Sequence, residues 1–342
     1  MALMSFVRNS VFALLLAILC TLGLSIAGAT ADRRPISIGL VHSAASASLY
    51  IGVSNGYFAE EGLEAKFEFV DADTQVEEAV AGGRLDFGVA SLTGSFFNYA
   101  AKHRLKIIAS QVSDQTGYPA TALLISKKAY EAGFRSIRDF PHKRIGMTTP
   151  DSGLRYSLVR IAARYRLAPD MIEPVWFQTS AEEIAALSRG EVDAAALPFA
   201  VALQLYLTGK GAFIIRLSDF AERQQGVVFT RAQTIQSDRP KVESFIRAYQ
   251  RAVAEYDLTF QQRDDEGTVL PGPHFRDYLA LIARQAQLSP EVLQYALPYC
   301  DHLARLDVTD LENQVKFWQS EGMVDKGIAG IDLLDLSFIA GL

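Results

Sequence analysis

Short apolar runs alternate with stretches of helical periodicity over the first two thirds of this chain. Apolar runs bounded by turn residues predict strands, whereas apolar residues spaced three and four apart predict helices. The predicted strands are residues 36–41, 65–70, 85–90, 105–110, 144–148, 174–178, 192–197, 212–217 and 226–230. The predicted helices between them are residues 49–58, 74–81, 93–102, 153–165, 181–189 and 199–207. This order predicts an α/β protein with helices on both faces of doubly wound mixed sheets.

The pattern changes after residue 230, where helical periodicity continues without strands. We expect a long amphipathic helix over residues 240–260, because Pro240 suits the first position of a helix. Further helices are predicted at residues 275–284, 290–299 and 311–321. Cys300 is expected to be a small, buried, apolar residue on a helix.

Two short motifs occur twice at one offset. Ile38-Gly39 recurs as Ile145-Gly146, and Gly83-Arg84-Leu85-Asp86 recurs as Gly190-Glu191-Val192-Asp193. Gly39 and Gly146 are 107 residues apart, as are Asp86 and Asp193. Two matches at the same spacing predict two similar lobes. Because the aspartate recurs in both lobes, we expect it to make structural hydrogen bonds and not to contact a ligand.

The two predicted lobes use discontinuous parts of the chain. We expect residues 32–118 and 226–342 to form the first lobe and residues 119–225 to form the second. The chain then passes between the lobes twice, which permits hinge closure. Ligands of open α/β sheets bind beyond the carboxyl ends of the strands. The loops expected at those ends begin at residues 42, 91, 148 and 198, and all are small or polar.

Polar residues in these loops are candidates for ligand contact. Ser152, Gly153 and Arg155 begin a predicted helix, where free N–H groups and a guanidinium could hold a sulfonate, nitrate or carboxylate. Alternatively, Asp151 or Ser152 only caps that helix and Arg155 is solvated. The other polar candidates are His42, Ser46, Ser48, Ser91, Thr93 and Thr149. His42 could equally be a packed or exposed side chain, and Thr93 an N-cap.

Aromatic residues favour a second kind of ligand. Tyr50, Tyr118 and Phe199 could form an apolar wall around an aromatic or alkyl group, although each could also belong to the core or the hinge. Two ligand classes therefore stay open. Helix starts and Arg155 favour a small organic anion, whereas the aromatic residues favour a neutral heteroaromatic compound such as a pyrimidine.

The amino terminus has the pattern of a secretory signal peptide. Arg8 precedes an apolar run over residues 11–26, and small-x-small cleavage sites end at Ala29 and Ala31. We expect residues 1–31 to be removed, with cleavage after one of these two alanines; an uncleaved membrane anchor is the alternative. A lipoprotein attached at Cys20 is disfavoured, because Leu19 stands where such signals have a small residue. Cleavage would leave a single cysteine and no intrachain disulfide.

The charge balance and the motifs narrow the function classes. The chain has 33 basic and 39 acidic side chains and a net charge of −6, which argues against nucleic acid or an anionic membrane as partner. No P-loop, H-E-x-x-H, paired C-x-x-C or strand-following G-x-G-x-x-G motif is present. We therefore expect no catalytic residues, no metal and no cofactor.

Four segments spread along the chain carry a family resemblance. They are residues 56–63 (GYFAEEGL), 83–89 (GRLDFGV), 136–146 (SIRDF followed by KRIG) and 190–195 (GEVDAA). They resemble the nitrate/taurine/alkanesulfonate family of periplasmic substrate-binding proteins, which also includes binders of thiamine-precursor pyrimidines. The similarity extends over essentially the whole mature chain. The G-Y-F-x-x-E-G-L element is fairly specific, whereas the G-x-x-D elements alone are weak.

The resemblance implies a type II periplasmic binding-protein fold that captures a small solute between two lobes and delivers it to a membrane ABC permease. It implies ligand positions around Ser46 and Ser48, at Ser91 to Thr93, and at Ser152-Gly153. The chain departs from the family at Pro198-Phe199, where many members have Trp-Glu-Pro. We expect a periplasmic, monomeric, non-enzymatic binding protein. A periplasmic sensor and an enzyme are the alternatives, since the fold also serves a pyrimidine synthase whose cysteine-rich motif is absent here.

Overall fold

Two five-stranded mixed sheets organise the computed structural model, which describes residues 33–167, 172–266 and 268–338. The predicted signal peptide lies outside the described residues. The first sheet has the order β2-β1-β3-β10-β4 and the second the order β7-β6-β8-β5-β9. The strands are β1 (Arg34–Leu40), β2 (Leu63–Phe69), β3 (Phe87–Ser91), β4 (Leu105–Asp114), β5 (Thr121–Ile125), β6 (Lys143–Met147), β7 (Ile172–Trp176), β8 (Ala194–Pro198), β9 (Phe213–Arg216) and β10 (Arg223–Arg231).

Helices cover both faces of each sheet, and each sheet with its helices forms one lobe. The helices are α1 (Ala47–Ser54), α2 (Tyr57–Glu60), α3 (Asp73–Ala81), α4 (Gly94–His103), α5 (Lys127–Glu131), α6 (Gly153–Arg164), α7 (Ser180–Arg189), α8 (Phe199–Leu207), α9 (Ala232–Ser237), α10 (Arg239–Phe260), α11 (Phe275–Ala286), α12 (Pro290–Leu293) and α13 (Val308–Ser320). None of these described helices is long and apolar enough to span a membrane.

The two sheets share one topology, which confirms the predicted duplication. In each sheet the two central parallel strands pair through equivalent residues, Gly39 with Gly88 and Gly146 with Ala195. In each sheet the fourth strand in spatial order is antiparallel to its neighbours, β10 in the first and β5 in the second. These two strands belong to the two chain passages between the lobes. The strand expected at residues 226–230 therefore does return to the first sheet.

Asp86 and Asp193 have the structural roles expected from the repeat. The Asp86 carboxylate accepts a hydrogen bond from the Ser37 N–H at 3.0 Å, and Asp193 accepts one from the Arg144 N–H at 2.8 Å. In both cases the donor lies 49 residues earlier in the chain. Each aspartate thereby ties the start of one central strand to the turn before the next.

The repeated glycine lets a helix approach the sheet closely. A Cβ atom at Gly39 would collide with the Leu85 side chain and come within 2.9 Å of Val76 on α3. At Gly146 a Cβ would be 3.1 Å from Glu183 on α7, the equivalent helix of the second lobe. The Ile-Gly motif therefore reflects packing rather than ligand binding.

Two helix predictions need correction. The helix expected over residues 49–58 is divided at Gly56, whose φ of 76° is left-handed, into α1 and the single turn α2. The helix expected over residues 290–299 ends at Leu293, where residues 294 and 295 form a turn, and Pro298 disfavours a helical conformation at Leu297. Cys300 is buried as expected, with 1% exposure, but it lies outside any helix.

Candidate functional site

A cavity of about 340 Å³ lies between the lobes, beyond the carboxyl ends of β1, β3 and β8. This is the position that doubly wound sheets use for ligands, and the volume is at the lower end of the range for small-molecule sites. The first lobe contributes Val41, His42, Ser43, Ala44, Ala45, Ser46, Asp73, Val89, Ala90, Ser91, Gln111, Val112, Gln225 and Gly226. The second lobe contributes Ala120, Pro198, Ala200 and Val201, and the C-terminal part of the chain contributes Ala286, Leu288, Ala296 and Pro298.

The segment after α11 closes one side of this cavity. Its Leu288 packs against the core of the first lobe and also against the core of the second. Val292 and Ala296 pack with Phe199 and Ala200 of α8. The lining therefore combines both lobes with a C-terminal segment that touches them both.

His42 lines the cavity directly after β1. Its Nδ1 lies 2.7 Å from the carbonyl oxygen of Gln285, and its ring stacks on Phe69 with centroids 4.1 Å apart. Because a carbonyl only accepts hydrogen bonds, Nδ1 carries a proton. In the neutral ring Nε2 is then a hydrogen-bond acceptor, and the stack fixes the plane of the ring.

Ser46 also lines the cavity, whereas its neighbour Ser48 does not. The Ser46 hydroxyl accepts a hydrogen bond from Gln111 Nε2 at 3.2 Å. Ser48 lies 3.4 Å from the Cys300 thiol, within the buried interior. Tyr50, one helical turn after Ser46, is 1% exposed, and its hydroxyl donates a hydrogen bond to the Ser43 carbonyl. Burial raises the pKa of its phenol to about 12, as expected of a core tyrosine.

Ser91 and Asp73 form a second polar corner. The Ser91 N–H, at the end of β3, donates to Asp73 Oδ2 at 2.8 Å, and both residues line the cavity. Asp73 is the first residue of α3. Burial raises the pKa of its carboxyl, although the hydrogen bonds from Ser91 act in the opposite direction.

Glu77 lies one turn along α3, with 3% exposure. Burial, followed by the negative charges of Asp73, Asp151 and Glu78, raises its pKa to about 8. The cavity is therefore backed by two carboxyl groups whose ionisation is disfavoured.

The loop after β6 does not line the cavity. Its Asp151 accepts a hydrogen bond from the Ser95 N–H at 2.6 Å, at the start of α4 in the first lobe. Ser152 caps α6 by accepting from the Arg155 N–H at 3.4 Å, and Thr149 is exposed. A side chain at Gly153 would collide with the Arg223 guanidinium, so glycine is needed for close contact there.

Arg155 points to the C-terminal helix. Its guanidinium forms an ion pair with Glu321, directly after α13, and lies 5.7 Å from the ring centroid of Trp318. Tyr156 and Arg160 of the same helix both contact Asp310 on α13, each at 3.0 Å. The face of α6 that contains these residues holds the second lobe against α13.

Three further candidates lie away from the lining. Thr93 caps α4, where its hydroxyl accepts from the Phe96 N–H at 3.0 Å. Tyr118 donates to the Gln261 carbonyl at 2.6 Å and lies beneath the Arg263 guanidinium. Phe199, at the start of α8, is 8% exposed and packs in the core of the second lobe. The structure thus brings together His42, Ser46 and Ser91 but not the other nine candidates.

The sequence interpretation missed Asp73, Gln111 and Gln225 as lining residues. Asp73 follows β2 and begins α3. An acidic residue is common in the first turn of a helix, so the sequence gives no sign that this one lines a cavity. Gln111 and Gln225 lie within long strands of the first sheet, where no local signal marks an inward-facing amide. Within the described ranges, no group of His, Cys, Asp and Glu is arranged to hold a metal ion.

Several solved structures have the same fold as this chain. The alkanesulfonate-binding protein SsuA from Xanthomonas axonopodis pv. citri, bound to MOPS, is 18% identical, with a TM-score of 0.65 over 89% of this chain and 99% of that chain. The aliphatic sulphonate-binding SsuA from Escherichia coli is 16% identical, with a TM-score of 0.67 over 88% and 92%. The nitrate-binding protein NrtA from Synechocystis PCC 6803 is 10% identical, with a TM-score of 0.54 over 76% and 69%.

These likenesses confirm the predicted two-lobe fold. No curated protein sequence matches the chain. The sequence pattern of the NMT1/THI5 like family matches residues 43–257, which is more than half of the chain and includes strands of both sheets. The chain therefore belongs to the NMT1/THI5-like family.

Proposed function

We propose that this protein is the solute-binding component of an ABC importer and that it works in the periplasm. The cavity between the lobes carries this proposal, because its walls come from both lobes and would be completed by their closure. The family membership and the binding activities named for the two SsuA proteins and NrtA support it. The permease is the proposed partner, and the monomer the proposed state.

Closure of the lobes about the two connecting strands is the proposed mechanism. A ligand that touches both walls binds the closed form better than the open form, and this difference in affinity shifts the population towards closure. Contacts between α6 of the second lobe and α13, outside the cavity lining, also join the two lobes. The permease would then recognise the closed, loaded form.

His42, Ser46 and Ser91 are the proposed ligand contacts among the residues singled out from sequence. All three lie where the first lobe faces the cavity. On the second lobe, Ala200 and Val201 in the first turn of α8 face the same space. The residues that favoured an organic anion, Ser152, Gly153 and Arg155, are not in the lining, so the ligand class must be argued from the lining itself.

We propose that the protein has no catalytic activity. Cys300 is 1% exposed, and burial raises the pKa of its thiol to about 12, which keeps it from acting as a thiolate nucleophile. Residues 52–56 (GVSNG) match the G-x-S-x-G spacing of serine hydrolases, but Ser54 ends helix α1. The hydrolase motif instead needs its serine on a sharp turn between a strand and a helix.

A thermal-shift screen tests the binding function. Purified residues 32–342 would be heated with sulfonates, nitrate, bicarbonate, aromatic carboxylates, pyrimidines and amines. A ligand at a hundred times its dissociation constant stabilises a protein by about 2.7 kcal/mol, which raises the melting temperature visibly. Ala45→Phe fills the cavity and should abolish the shift, whereas Ala132→Phe, at an exposed site on the second lobe, should not. Failure of every class, or a shift that survives Ala45→Phe, would contradict the proposal.

Export is tested separately. We propose cleavage after Ala29 or Ala31, and amino-terminal sequencing of the protein from the periplasmic fraction should begin at residue 30 or 32. An intact amino terminus in the membrane fraction would instead support an anchor.

A further inference from the structure

Asp73 is the only aspartate, glutamate, lysine or arginine among the described residues that line the cavity. The remaining lining is made of small apolar residues, three serines, two glutamines and His42. An anionic ligand would therefore meet a carboxylate and no basic side chain. In a closed cavity this repulsion is weakly screened, because charges away from water interact more strongly than exposed ones.

The surroundings of Asp73 contain two further carboxyl groups and no lysine or arginine. Glu77 lies one turn away on α3, and Asp151 approaches from the second lobe. The interactions of Asp73 and Glu77 within the described ranges are burial, hydrogen bonds and other carboxylates, with no lysine or arginine among them. The partly buried Asp73 carboxyl has no cationic partner among these groups, and a cationic ligand would supply one.

Three further side chains with acceptor atoms, Gln111, Gln225 and His42, line the same cavity. Gln111 is 6% exposed and uses its Nε2 to bond Ser46, while its Oε1 lies over Gly226 on the cavity wall. Within the described residues, no donor reaches the Gln111 Oε1. Gln225 Oε1 is buried and has no hydrogen-bond partner in the same part of the chain. With its proton on Nδ1, the neutral form of the His42 ring offers Nε2 as a further acceptor.

We propose that the solute is a small organic cation, an amine, amidine or guanidinium, whose charged nitrogen pairs with Asp73 and whose other N–H groups bond Gln111 and Gln225. The inference rests on the proposed binding function. The carboxylate supplies the charge, and the amide oxygens satisfy donors that a lone carboxylate leaves unpaired. The alanine, valine and leucine residues of the lining then cover the apolar part of the solute.

Ligands matched in shape and different in charge test this inference. We would titrate the protein with benzamidine, benzamide and benzenesulfonate, and with butylamine and butanesulfonate, following binding by calorimetry and by protein NMR shifts. The cations should bind at least tenfold more tightly than their neutral or anionic counterparts. Asp73→Asn keeps the side-chain shape and should weaken cation binding about 10- to 150-fold, the range for a hydrogen bond to a charged group. Asp71→Asn, an exposed neighbour, should leave it unchanged.

The outcomes separate the two proposals. Tighter binding of a sulfonate that Ala45→Phe abolishes would keep the binding function and overturn the cation. Equal binding of the cation by Asp73→Asn and by wild type would also overturn the cation proposal. If the asparagine variant does not fold, Asp73→Ser replaces it in this comparison. If the wider screen identifies another solute, a cationic solute supports the cation proposal, and a neutral or anionic one overturns it. Absence of binding by all these compounds and by the whole screen would contradict the binding function itself.

Discussion

Arg223 at the start of β10 and Asp114 at the end of β4 form a buried ion pair where the chain passes between the lobes. The Arg223 Nη2 lies 3.1 Å from Asp114 Oδ2, with the two side chains 2% and 1% exposed. Asp114 ends β4 and also accepts hydrogen bonds from the N–H groups of Ala120 and Thr121. Arg223 begins β10 and donates to Ser157 on α6 at 3.2 Å. The pair therefore fixes both passages of the hinge to one another and to the second lobe.

Asp114→Asn should destabilise the protein strongly. Removing one partner of a buried ion pair leaves the other charge uncompensated and typically costs about 3–5 kcal/mol. The free energy of unfolding in urea measures the effect. The control is Asp219→Asn, which breaks the exposed pair of Arg216 and Asp219 and should cost at most about 1 kcal/mol. Equal losses in the two variants would contradict the structural role of the hinge pair.

Glu77 should make the protein less stable as the pH rises. Its folded pKa of about 8 lies above the ordinary value of 4.5. Between these values the unfolded chain ionises while the folded protein retains the proton, so the free energy of unfolding falls as pH rises. Each pKa unit corresponds to about 1.4 kcal/mol, which limits the total loss to about 5 kcal/mol. Glu77→Gln should remove this loss, and its advantage over wild type should grow from pH 5 to pH 8.

Exposed Glu78, the next residue on α3, provides the control for that measurement. Glu78→Gln should leave most of this pH dependence in place, because burial and the charges of Asp73 and Asp151 contribute more to the raised pKa of Glu77 than Glu78 does. If Glu77→Gln is no more stable than wild type near pH 8, the carboxyl is solvated or paired in a way that this structure does not show.

Asp86 should act with the opposite sign. Burial alone would raise its pKa, but the hydrogen bond and charge of Lys241, at 2.7 Å, and the N–H of Ser37 outweigh burial and lower the pKa. A lowered folded pKa contributes stability that is present above the unfolded value, about 3.9, and is lost as pH falls through the folded pKa. Asp86→Asn should therefore be less stable than wild type from pH 5 to pH 7. The difference should shrink below about pH 4, and a constant difference down to pH 2 would refute the electrostatic part of this account.

The fold could be predicted from sequence because two local patterns determine it, the apolar periodicity and the repeated Gly-x-x-Asp motif. Apolar periodicity marks strands and helices, and the Gly-x-x-Asp motif marks the same turn in both lobes, where Asp86 and Asp193 bond equivalent strand starts. The errors occurred where the conformation of a single residue sets the end of a helix. Gly56, for example, interrupts the helix although the apolar pattern continues through it. The end of α12 was also predicted wrongly. The apolar Ala296 after Leu293 packs against the second lobe without being helical, so the apolar pattern continues past the end of the helix.

The site could be predicted only in part. Loops at the carboxyl ends of strands can be located from the strand order, which identified His42, Ser46 and Ser91 as neighbours. Which loops contribute depends on how the lobes meet, and the loop with Ser152 meets α4 and α13 instead of the cavity. The C-terminal segment with Leu288 and the strand residues Gln111 and Gln225 enter through tertiary packing, which no local pattern records.

Arg155 and His42 should differ in their effects on ligand affinity. Arg155→Ala removes a half-exposed ion pair between α6 and the end of α13, so it should weaken closure by about 1 kcal/mol and affinity by no more than about fivefold. His42→Ala removes a proposed ligand contact and should weaken binding about tenfold. His103→Ala, on the far end of α4, is the control and should match wild type. A larger effect of Arg155→Ala than of His42→Ala would indicate an anion site at the start of α6.

Solution scattering with and without the first solute from the screen tests the central claim most directly. If the solute binds between the lobes, saturation should reduce the radius of gyration of wild-type protein and of Ala132→Phe, and should leave that of Ala45→Phe unchanged. Tight binding without compaction, or equal compaction of Ala45→Phe, would show that the solute does not bind in the cavity between the lobes.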